Sequence, residues 1–301
     1  MRRTVRKLQI LGCCATVAVA TVAAACSHHS LPGRVADPHA DPGISKARAA
    51  QILNAVGAVS AQVSQAELAA RGRALFFSSS FGRPGESCGT CHTGGGGVNP
   101  RIGTIVHPTK AGDFTGPRDP IQLWGVARTA PYTWSGNVAT LPQQVTNVII
   151  TFSRDGKTQP AQTTAEQAAA ILAYLKTLDP PVTDFDNGTM SDAAKRGEEP
   201  FRGKAACVSC HGGPMFTDNN VHNTGVPKVS GKDTDPGNAA VPGAFNTTAL
   251  RDVRNTAPYM HNGVLPTLEA VMDFYSGNKL AGVPQLSGPE KADIIAYLDA
   301  L

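Results

Sequence analysis

Apolar residues recur at helical spacing near the end of each half of the chain, and they predict two matching helices. The two stripes are Ile171, Leu172, Tyr174, Leu175, Leu178 and Ile294, Ile295, Tyr297, Leu298, Leu301. Both follow the spacing i, i+1, i+3, i+4, i+7, which covers one face of an α-helix. Thr163 with Glu166, and Ser287 with Glu290, have the capping-box spacing that begins a helix.

Strand patterns are weak throughout the chain. Alternating apolar runs are too short for a sheet of any size, and residues 145–152 fit a strand or a buried helix equally well. The 31 glycines and 22 prolines fall between the periodic segments, which indicates long loops. Asp179-Pro180-Pro181 ends the first unit, because a proline pair stops a helix. We therefore predict a mainly α fold.

Short motifs also repeat in the same order in the two halves of the chain, at an offset of 127 residues. The matched pairs are Thr129–Tyr132 with Thr256–Tyr259, Gly136 with Gly263, and Thr140–Leu141 with Thr267–Leu268. Two unrelated helical domains would not explain this order. The pattern predicts two tandem helical domains, at residues 51–181 and 182–301.

The N-terminus has the pattern of an export signal. Four basic residues within the first seven precede the uncharged run 8–25, so we assign residues 1–25 to a signal peptide. Its removal leaves 23 basic and 23 acidic residues, because four of the 27 basic residues leave with it. A neutral chain gives no reason to expect nucleic-acid binding. Apolar residues make up 41% of the chain, enough for a folded core.

The segment Val22–Ser27 resembles a bacterial lipoprotein signal, in which a cysteine that follows small residues is lipidated. Here that cysteine is Cys26, although Ala23 stands where leucine is usual, so cleavage after Ala25 without a lipid is the alternative. Residues 26–50 then form a tether rich in proline, histidine and aspartate. We expect a periplasmic protein attached to a membrane through this lipid only.

Each half contains one C-x-x-C-H motif, the pattern of covalent haem attachment. The motifs are Cys88-Gly-Thr-Cys91-His92 and Cys207-Val-Ser-Cys210-His211. Two thiols across a tight turn can add to the two vinyl groups of one haem, and the adjacent histidine can bind iron as its fifth ligand. A thioredoxin-like dithiol or half a zinc site would also use two such cysteines, but it would not need the histidines. We predict two cytochrome-c-like domains, each with one c-type haem.

From Ala69 to Leu301 the chain resembles the bacterial di-haem cytochrome c peroxidase family, which includes the MauG-type enzymes. Besides both motifs, the resemblance rests on Leu250–Gly263, Thr267–Glu269 and Asp273–Tyr275. It implies that the N-terminal haem binds peroxide and that the C-terminal haem passes or stores electrons. It also implies that Trp134 lies between the haems, where an indole could carry an electron hole. Simple packing in the core is the alternative for Trp134.

The resemblance also implies the sixth iron ligands. Tyr275 stands where the peroxidases have methionine and the MauG-type enzymes have tyrosine, and a phenolate stabilises ferric iron more than a thioether does. Met272, one helical turn earlier, is the alternative ligand. His107 stands near the histidine that caps the N-terminal haem of the peroxidases until activation. A solvated loop histidine is the alternative there.

In the distal pocket, the resemblance gives Gln144 the position of a glutamine that hydrogen-bonds peroxide. The family's acid–base glutamate is replaced by Arg154, and the pocket proline is replaced by Val148. Cleavage of peroxide needs a group that moves a proton between its two oxygens. Asp155, beside Arg154, could take that role after a shift of one residue.

The same resemblance implies a calcium ion between the domains, held by Asp119 and by the backbone carbonyls of Thr256 and Pro258. Oxygen ligands of this kind suit calcium. Three functions follow: a peroxidase that reduces hydrogen peroxide with electrons from a small periplasmic cytochrome c or cupredoxin, a MauG-type oxidase of a protein partner, and a non-catalytic membrane-tethered electron carrier. The peroxidase is our first expectation, and a homodimer is left open.

Overall fold

The protein is mainly helical in the computed structural model, which describes residues 46–78, 87–92, 105–106, 117–152, 161–229 and 236–301. The helices are α1 (Lys46–Gln62), α2 (Gln65–Phe76), α3 (Cys88–Cys91), α4 (Leu141–Phe152), α5 (Ala161–Leu175), α6 (Asp184–Asn187), α7 (Asp192–Arg202), α8 (Leu268–Tyr275) and α9 (Gly288–Asp299). The strands are β1 (Ile105–Val106), β2 (Pro117–Arg118), β3 (Val221–His222) and β4 (Phe245–Asn246). They form two antiparallel pairs, β1–β2 and β3–β4. The prediction of a mainly α fold is confirmed.

The N-terminal half packs α1, α2 and α4 around α5. The apolar stripe predicted for α5 is buried against these helices, as are Ile52 and Val56 of α1. Helix α1 begins at Lys46 and therefore crosses the boundary predicted at residue 50 between the tether and the first domain. Residues 145–152 lie in α4, so the ambiguous apolar run is a helix. Tertiary packing decides between the two structures where periodicity does not.

The C-terminal half packs α7 and α8 against α9 around an aromatic core. The Tyr297 ring of α9 meets Phe201 of α7 edge to face, with ring centroids 5.1 Å apart. Phe185 and Phe216 contact the same tyrosine ring. None of the helices in the described ranges is long and apolar enough to cross a membrane.

The backbone repeats itself at the offset of 127 residues found in the sequence. Gly125 and Asp252 both have a left-handed conformation, with φ of 63° and 59°, and a 3-10 turn follows each of them. The hydroxyl group of Tyr132 donates to the carbonyl of Val126 at 3.1 Å. Tyr259 makes the equivalent bond to Val253 at 3.3 Å. This agreement in conformation supports an internal duplication.

One of the two predicted helix starts is confirmed and the other is wrong. At α9 the hydroxyl of Ser287 accepts from the amide of Glu290, and the Glu290 carboxylate accepts from the amide of Ser287 at 2.7 Å. Helix α5 already begins at Ala161, so Thr163 lies inside it instead of capping it. Ala161 and Gln162 are good helix formers, and they extend the helix beyond the predicted cap.

The Glu290 carboxylate makes the stability of the C-terminal half depend on pH. The hydrogen bond from Lys204 is the main reason that its pKa falls to about 2, with the α9 capping box as a further cause. Because the folded-state pKa lies below the unfolded one, this stabilisation is complete above about pH 4.5 and is lost as the pH falls towards 2. Urea unfolding should show that Glu290→Gln lowers the unfolding free energy at pH 6 and has no such effect near pH 2. A difference that does not change with pH would contradict this assignment.

Helices α7 and α9 cross at Gly197, where their backbones come into contact. A Cβ atom on Gly197 would lie 1.8 Å from the carbonyl oxygen of Asp293. We expect Gly197→Ala to lower the unfolding free energy by about 3 kcal/mol, the upper end for overpacking, because a helix backbone cannot move aside. Gly57 of α1 has open space around it, so Gly57→Ala is the matched control. In urea titrations the control should be neutral or more stable by about 0.5–1 kcal/mol.

Candidate haem sites

The second C-x-x-C-H motif lies at one wall of a cavity of 440 Å³. This volume is in the range of cofactor sites. Tyr275 and Met272 of α8 line the same cavity, as do residues of the strap 119–122 from the first half of the chain. The cavity is therefore built from both halves.

The His211 imidazole is oriented by the backbone. Its Nδ1 lies 2.9 Å from the carbonyl oxygen of Phe216, and a proton on Nδ1 leaves Nε2 as the nitrogen with the free lone pair. Burial lowers the pKa of His211 below its usual range. The ring is thus neutral, which is the form that binds iron.

The first motif forms the one-turn helix α3, and His92 directly follows it. Burial lowers the pKa of His92 to about 4, so this imidazole is also neutral. The backbone of Ile121 hydrogen-bonds the ring, while Nδ1 is buried without a partner among the described residues. Thr248, 127 residues after Ile121, makes the equivalent backbone contact with His211.

The cysteines of both motifs have the properties of haem-attachment thiols instead of a redox-active pair. None of the four is in a disulfide. Burial raises the pKa of Cys88 to about 11 and that of Cys207 to about 12. Reactive C-x-x-C pairs have lowered thiol pKa values, because the thiolate is the nucleophile. The thiols, the neutral imidazoles and the cavity fit covalent haem and do not fit a thioredoxin-like site.

Tyr275 and Met272 both face the C-terminal cavity, but they differ in burial. Met272 is 5% exposed and is part of the packed core, whereas Tyr275 is half-buried and retains accessible surface. Desolvation raises the pKa of Tyr275 to about 12, although a hydrogen bond with Thr224 opposes the shift. Both side chains line the cavity, so both stay candidate ligands.

Trp134 lies in the wall of the same cavity. Its Nε1 donates to the carbonyl oxygen of Asp119 at 2.6 Å, and its ring meets His261 edge to face at 6.3 Å. His261 in turn stacks on Phe245, with ring centroids 3.5 Å apart. The structure thus brings the predicted tryptophan next to the C-terminal site, together with the rings of His261 and Phe245, for which the sequence predicted no role.

The three residues expected to hold calcium line this cavity too. Asp119 is 6% exposed, and the amide of Asp119 donates to the carbonyl of His261 at 3.0 Å. Thr256 and Pro258 belong to the same wall. Asp119, Thr256 and Pro258 thus all line the same cavity, and the calcium ion that the resemblance implies stays a prediction.

A histidine–aspartate pair, to which the sequence analysis assigns no role, lies beside the second motif. His222 Nε2 is 2.7 Å from the Asp218 carboxylate, and the same ring contacts Cys210. Asp218 is the main cause that raises the pKa of His222 to about 10. The two residues are four positions apart, a spacing that predicts a contact only within a helix. Neither residue lies in a helix, so the spacing did not predict this pair.

The remaining predicted site residues are only partly covered by the structure. Gln144 and Val148 are half-buried on α4, one helical turn apart. His107, Arg154, Asp155 and Cys26 lie outside the described residues.

Comparison with known proteins agrees with this geometry. No protein-family model matches the chain. The methylamine utilization protein MauG of Methylorubrum extorquens is 30% identical over 282 residues, covering 78% of each chain. Cytochrome-c peroxidase IdrP2 of Denitromonas iodatirespirans is 37% identical over 42% of this chain and 46% of its own length.

The fold has relatives among solved structures as well. A MauG-like protein associated with microbial copper homeostasis superposes with a TM-score of 0.62 and 23% identity, over 90% of this chain and 94% of that protein. The chain therefore belongs to the bacterial di-haem cytochrome c peroxidase family, which includes MauG, and is a haem oxidoreductase with two c-type haems.

Proposed function

We propose that this protein reduces hydrogen peroxide to water with electrons from a small redox protein, a cytochrome c or a cupredoxin. One observation carries the proposal: the strap 119–122 contacts both haem sites. Ile121 hydrogen-bonds His92 of the first site through its backbone and also lines the cavity of the second. Peroxide reduction needs two electrons. Two haem sites that contact the same segment of chain can supply one electron each.

The haems, when bound, would supply the redox chemistry, and the side chains of the protein would supply ligands and protons. His92 and His211 would hold the two irons, since burial lowers the pKa of each ring and keeps it neutral. At the N-terminal site, Gln144 hydrogen-bonds peroxide and Asp155 moves the proton between its oxygens. At the C-terminal site, Tyr275 would hold the iron of the second haem, and this site would accept electrons from the donor.

Several further residues support the two sites. Trp134, with its indole N–H fixed on Asp119, carries electrons between them. His107 would hold the iron of the N-terminal haem before activation. Asp119, Thr256 and Pro258 would hold a calcium ion, since oxygen ligands suit calcium.

Turnover with peroxide tests this function. Di-haem protein that has received one electron should oxidise two molecules of reduced cytochrome c or cupredoxin for each hydrogen peroxide consumed. Gln144→Leu and Asp155→Asn should each slow turnover by about 10²–10⁴-fold, the contribution of a positioned proton-transfer group. Lys176→Gln, an exposed change at the end of α5, is the control. Peroxide consumption that does not depend on a donor would contradict the proposal.

A MauG-type oxidase is the second candidate, and Tyr275 is the observation that favours it. In that function, two oxidising equivalents from peroxide would remove electrons from residues of a protein partner. Mass spectrometry of proteins mixed with the di-haem enzyme and peroxide separates the two candidates. Crosslinked or oxygenated residues on a partner, without turnover of a small electron donor, would favour the oxidase.

We also propose that the protein is periplasmic and is attached to a membrane by a lipid on Cys26. The Cys26→Ser variant should then move from the membrane fraction to the soluble fraction, because a lipid chain provides the attachment. Fractionation with an antibody against the protein measures this shift. A variant that fractionates like the natural protein would rule out the lipid anchor.

A further inference from the structure

An ion pair beside the second motif has its positive member in the wall of the C-terminal cavity. His222 lines this cavity, and its Nε2 lies 2.7 Å from a carboxylate oxygen of Asp218. Of the described residues that line the cavity, none is lysine or arginine, and Asp218 is not among them. The pair therefore turns its histidine towards the cofactor site and its carboxylate away from it.

The backbone holds both members of the pair in place. The Oδ1 of Asp218 accepts from the amide of Asn220 at 3.1 Å, and Thr247 hydrogen-bonds the same carboxylate. His222 lies in β3, where it pairs with Phe245 of β4. The direction of the ion pair is thus fixed by the loop and the strand that carry it.

The His222 ring carries a positive charge in this arrangement. The hydrogen bond to Asp218 raises the pKa of His222 to about 10, so the ring is protonated at neutral pH. The side chains of His222 and Asp218 are only 13% and 17% exposed. Charges that are removed from water to this extent are weakly screened by salt. The cation can therefore act on groups inside the cavity.

The same ring reaches the point at which the second haem is attached. His222 hydrogen-bonds the sulfur of Cys210. This sulfur, a ring nitrogen of His222 and a carboxylate oxygen of Asp218 all lie within 4.8 Å of one another. Because Cys210 carries the haem in the mature protein, the three groups are not free to hold a separate metal ion. Their position instead puts a cation beside the covalent attachment of the cofactor.

We propose that His222, oriented by Asp218, raises the reduction potential of the C-terminal haem. Ferric haem has one more positive charge than ferrous haem, so a nearby cation in a site of low dielectric destabilises the ferric form more. Hydrogen bonds and burial around the cofactor are among the means by which proteins set haem potentials. The opposite charge of Asp218 offsets only part of this effect, since it does not line the cavity.

A higher potential favours electron transfer from a donor protein to this haem. The role of His222 rests on haem attachment at the second motif and requires no particular reaction. It therefore applies equally to a peroxidase, to a protein oxidase and to an electron carrier.

Two variants of His222 separate its charge from its structural contact. His222→Gln removes the charge and keeps an N–H donor for Asp218. His222→Lys keeps a positive charge beside the same carboxylate. Lys291→Gln is the matched control, because Lys291 forms an ion pair with Asp273 at 2.6 Å in the same half of the chain but does not line the cavity.

The test is a redox titration of the ferric di-haem protein, followed by its visible absorption and carried out without peroxide. The C-terminal haem is the one whose spectrum changes in Tyr275→Phe or in Met272→Leu. We expect His222→Gln to lower the equilibrium constant for reduction of this haem about tenfold or more, which is about 59 mV for one electron. The potential of the N-terminal haem should not change. His222→Lys and Lys291→Gln should keep the natural potential of both haems.

Three results would overturn this role: a C-terminal potential that does not change in His222→Gln, an equal fall in His222→Lys, or an equal fall in Lys291→Gln. The electron paramagnetic resonance spectrum of ferric His222→Gln should match that of the natural protein, because the axial ligands remain. A changed spectrum would assign the lower potential to ligand exchange and would also overturn the role. If the potential falls as expected but the protein does not turn over peroxide, the role of His222 stands and the peroxidase function fails.

Discussion

The double variant Cys207→Ala/Cys210→Ala is expected to contain one covalent haem for each chain instead of two, and to lose donor-dependent peroxide reduction. The two thiols are the only covalent attachment that the second motif offers, and they lie in the wall of the 440 Å³ cavity. Without them, the C-terminal site cannot retain its haem through denaturation. The proposed route for electrons from the donor is then interrupted.

Haem content measured by the pyridine haemochrome assay, and the mass of the denatured chain, check this result. Ser209→Ala is the control, because Ser209 lies between the cysteines but is exposed, and its hydroxyl donates to the carbonyl of Ala206. It should keep two haems. Two covalent haems in the double variant would contradict the assignment of this motif. The companion variant Cys88→Ala/Cys91→Ala should also lose one haem, but that haem belongs to the proposed peroxide site.

The parts of the fold that could be predicted depend on residues that are close in sequence. The stripe of α9, with Ile294, Tyr297 and Leu298, predicted a buried helix because one face of a helix repeats every three to four residues. The capping box of Ser287 and Glu290 fixed its start for the same reason. Thr163 shows the limit, because the same spacing occurs inside α5 without acting as a cap.

The haem ligands were predictable because the chemistry itself is local. A C-x-x-C-H motif places two thiols and one imidazole within five residues, and burial lowers the pKa of both histidines so that each imidazole is neutral. The family resemblance added residues that no spacing could provide. It pointed to Asp119, Thr256 and Pro258, which all line the cavity, although their binding of calcium stays a prediction.

The contacts between the halves could not be predicted, because they join residues far apart in sequence. Trp124 and Asp252 are 128 positions apart, and Gln122 hydrogen-bonds the carbonyl of Ala249 across 127 positions. These separations are close to the repeat offset of 127, so residues of the first repeat contact residues at or next to the matching positions of the second. A duplicated sequence predicts that two similar units exist, but it does not say which surfaces they share.

The Tyr275→Met variant is expected to raise the midpoint potential of the C-terminal haem by about 100 mV or more. Axial ligands set haem potentials over a range of about 0.8 V, and a phenolate stabilises ferric iron more than a thioether does. Desolvation raises the pKa of Tyr275 to about 12, so the side chain alone is a neutral phenol. A bound metal cation beside it would favour the phenolate. Spectroelectrochemical titration measures both potentials in one sample.

The Tyr275→Phe variant tests the same ligand without a replacement. Its ferric protein should lose one low-spin signal in the electron paramagnetic resonance spectrum and gain a high-spin one, since phenylalanine offers iron no lone pair. Tyr259→Phe is the control, because Tyr259 lines the same cavity but its hydroxyl donates to the carbonyl of Val253 at 3.3 Å. If the low-spin signal persists in Tyr275→Phe and disappears in Met272→Leu, the ligand is Met272. The sixth ligand would then lie one helical turn before the position that the family resemblance implies.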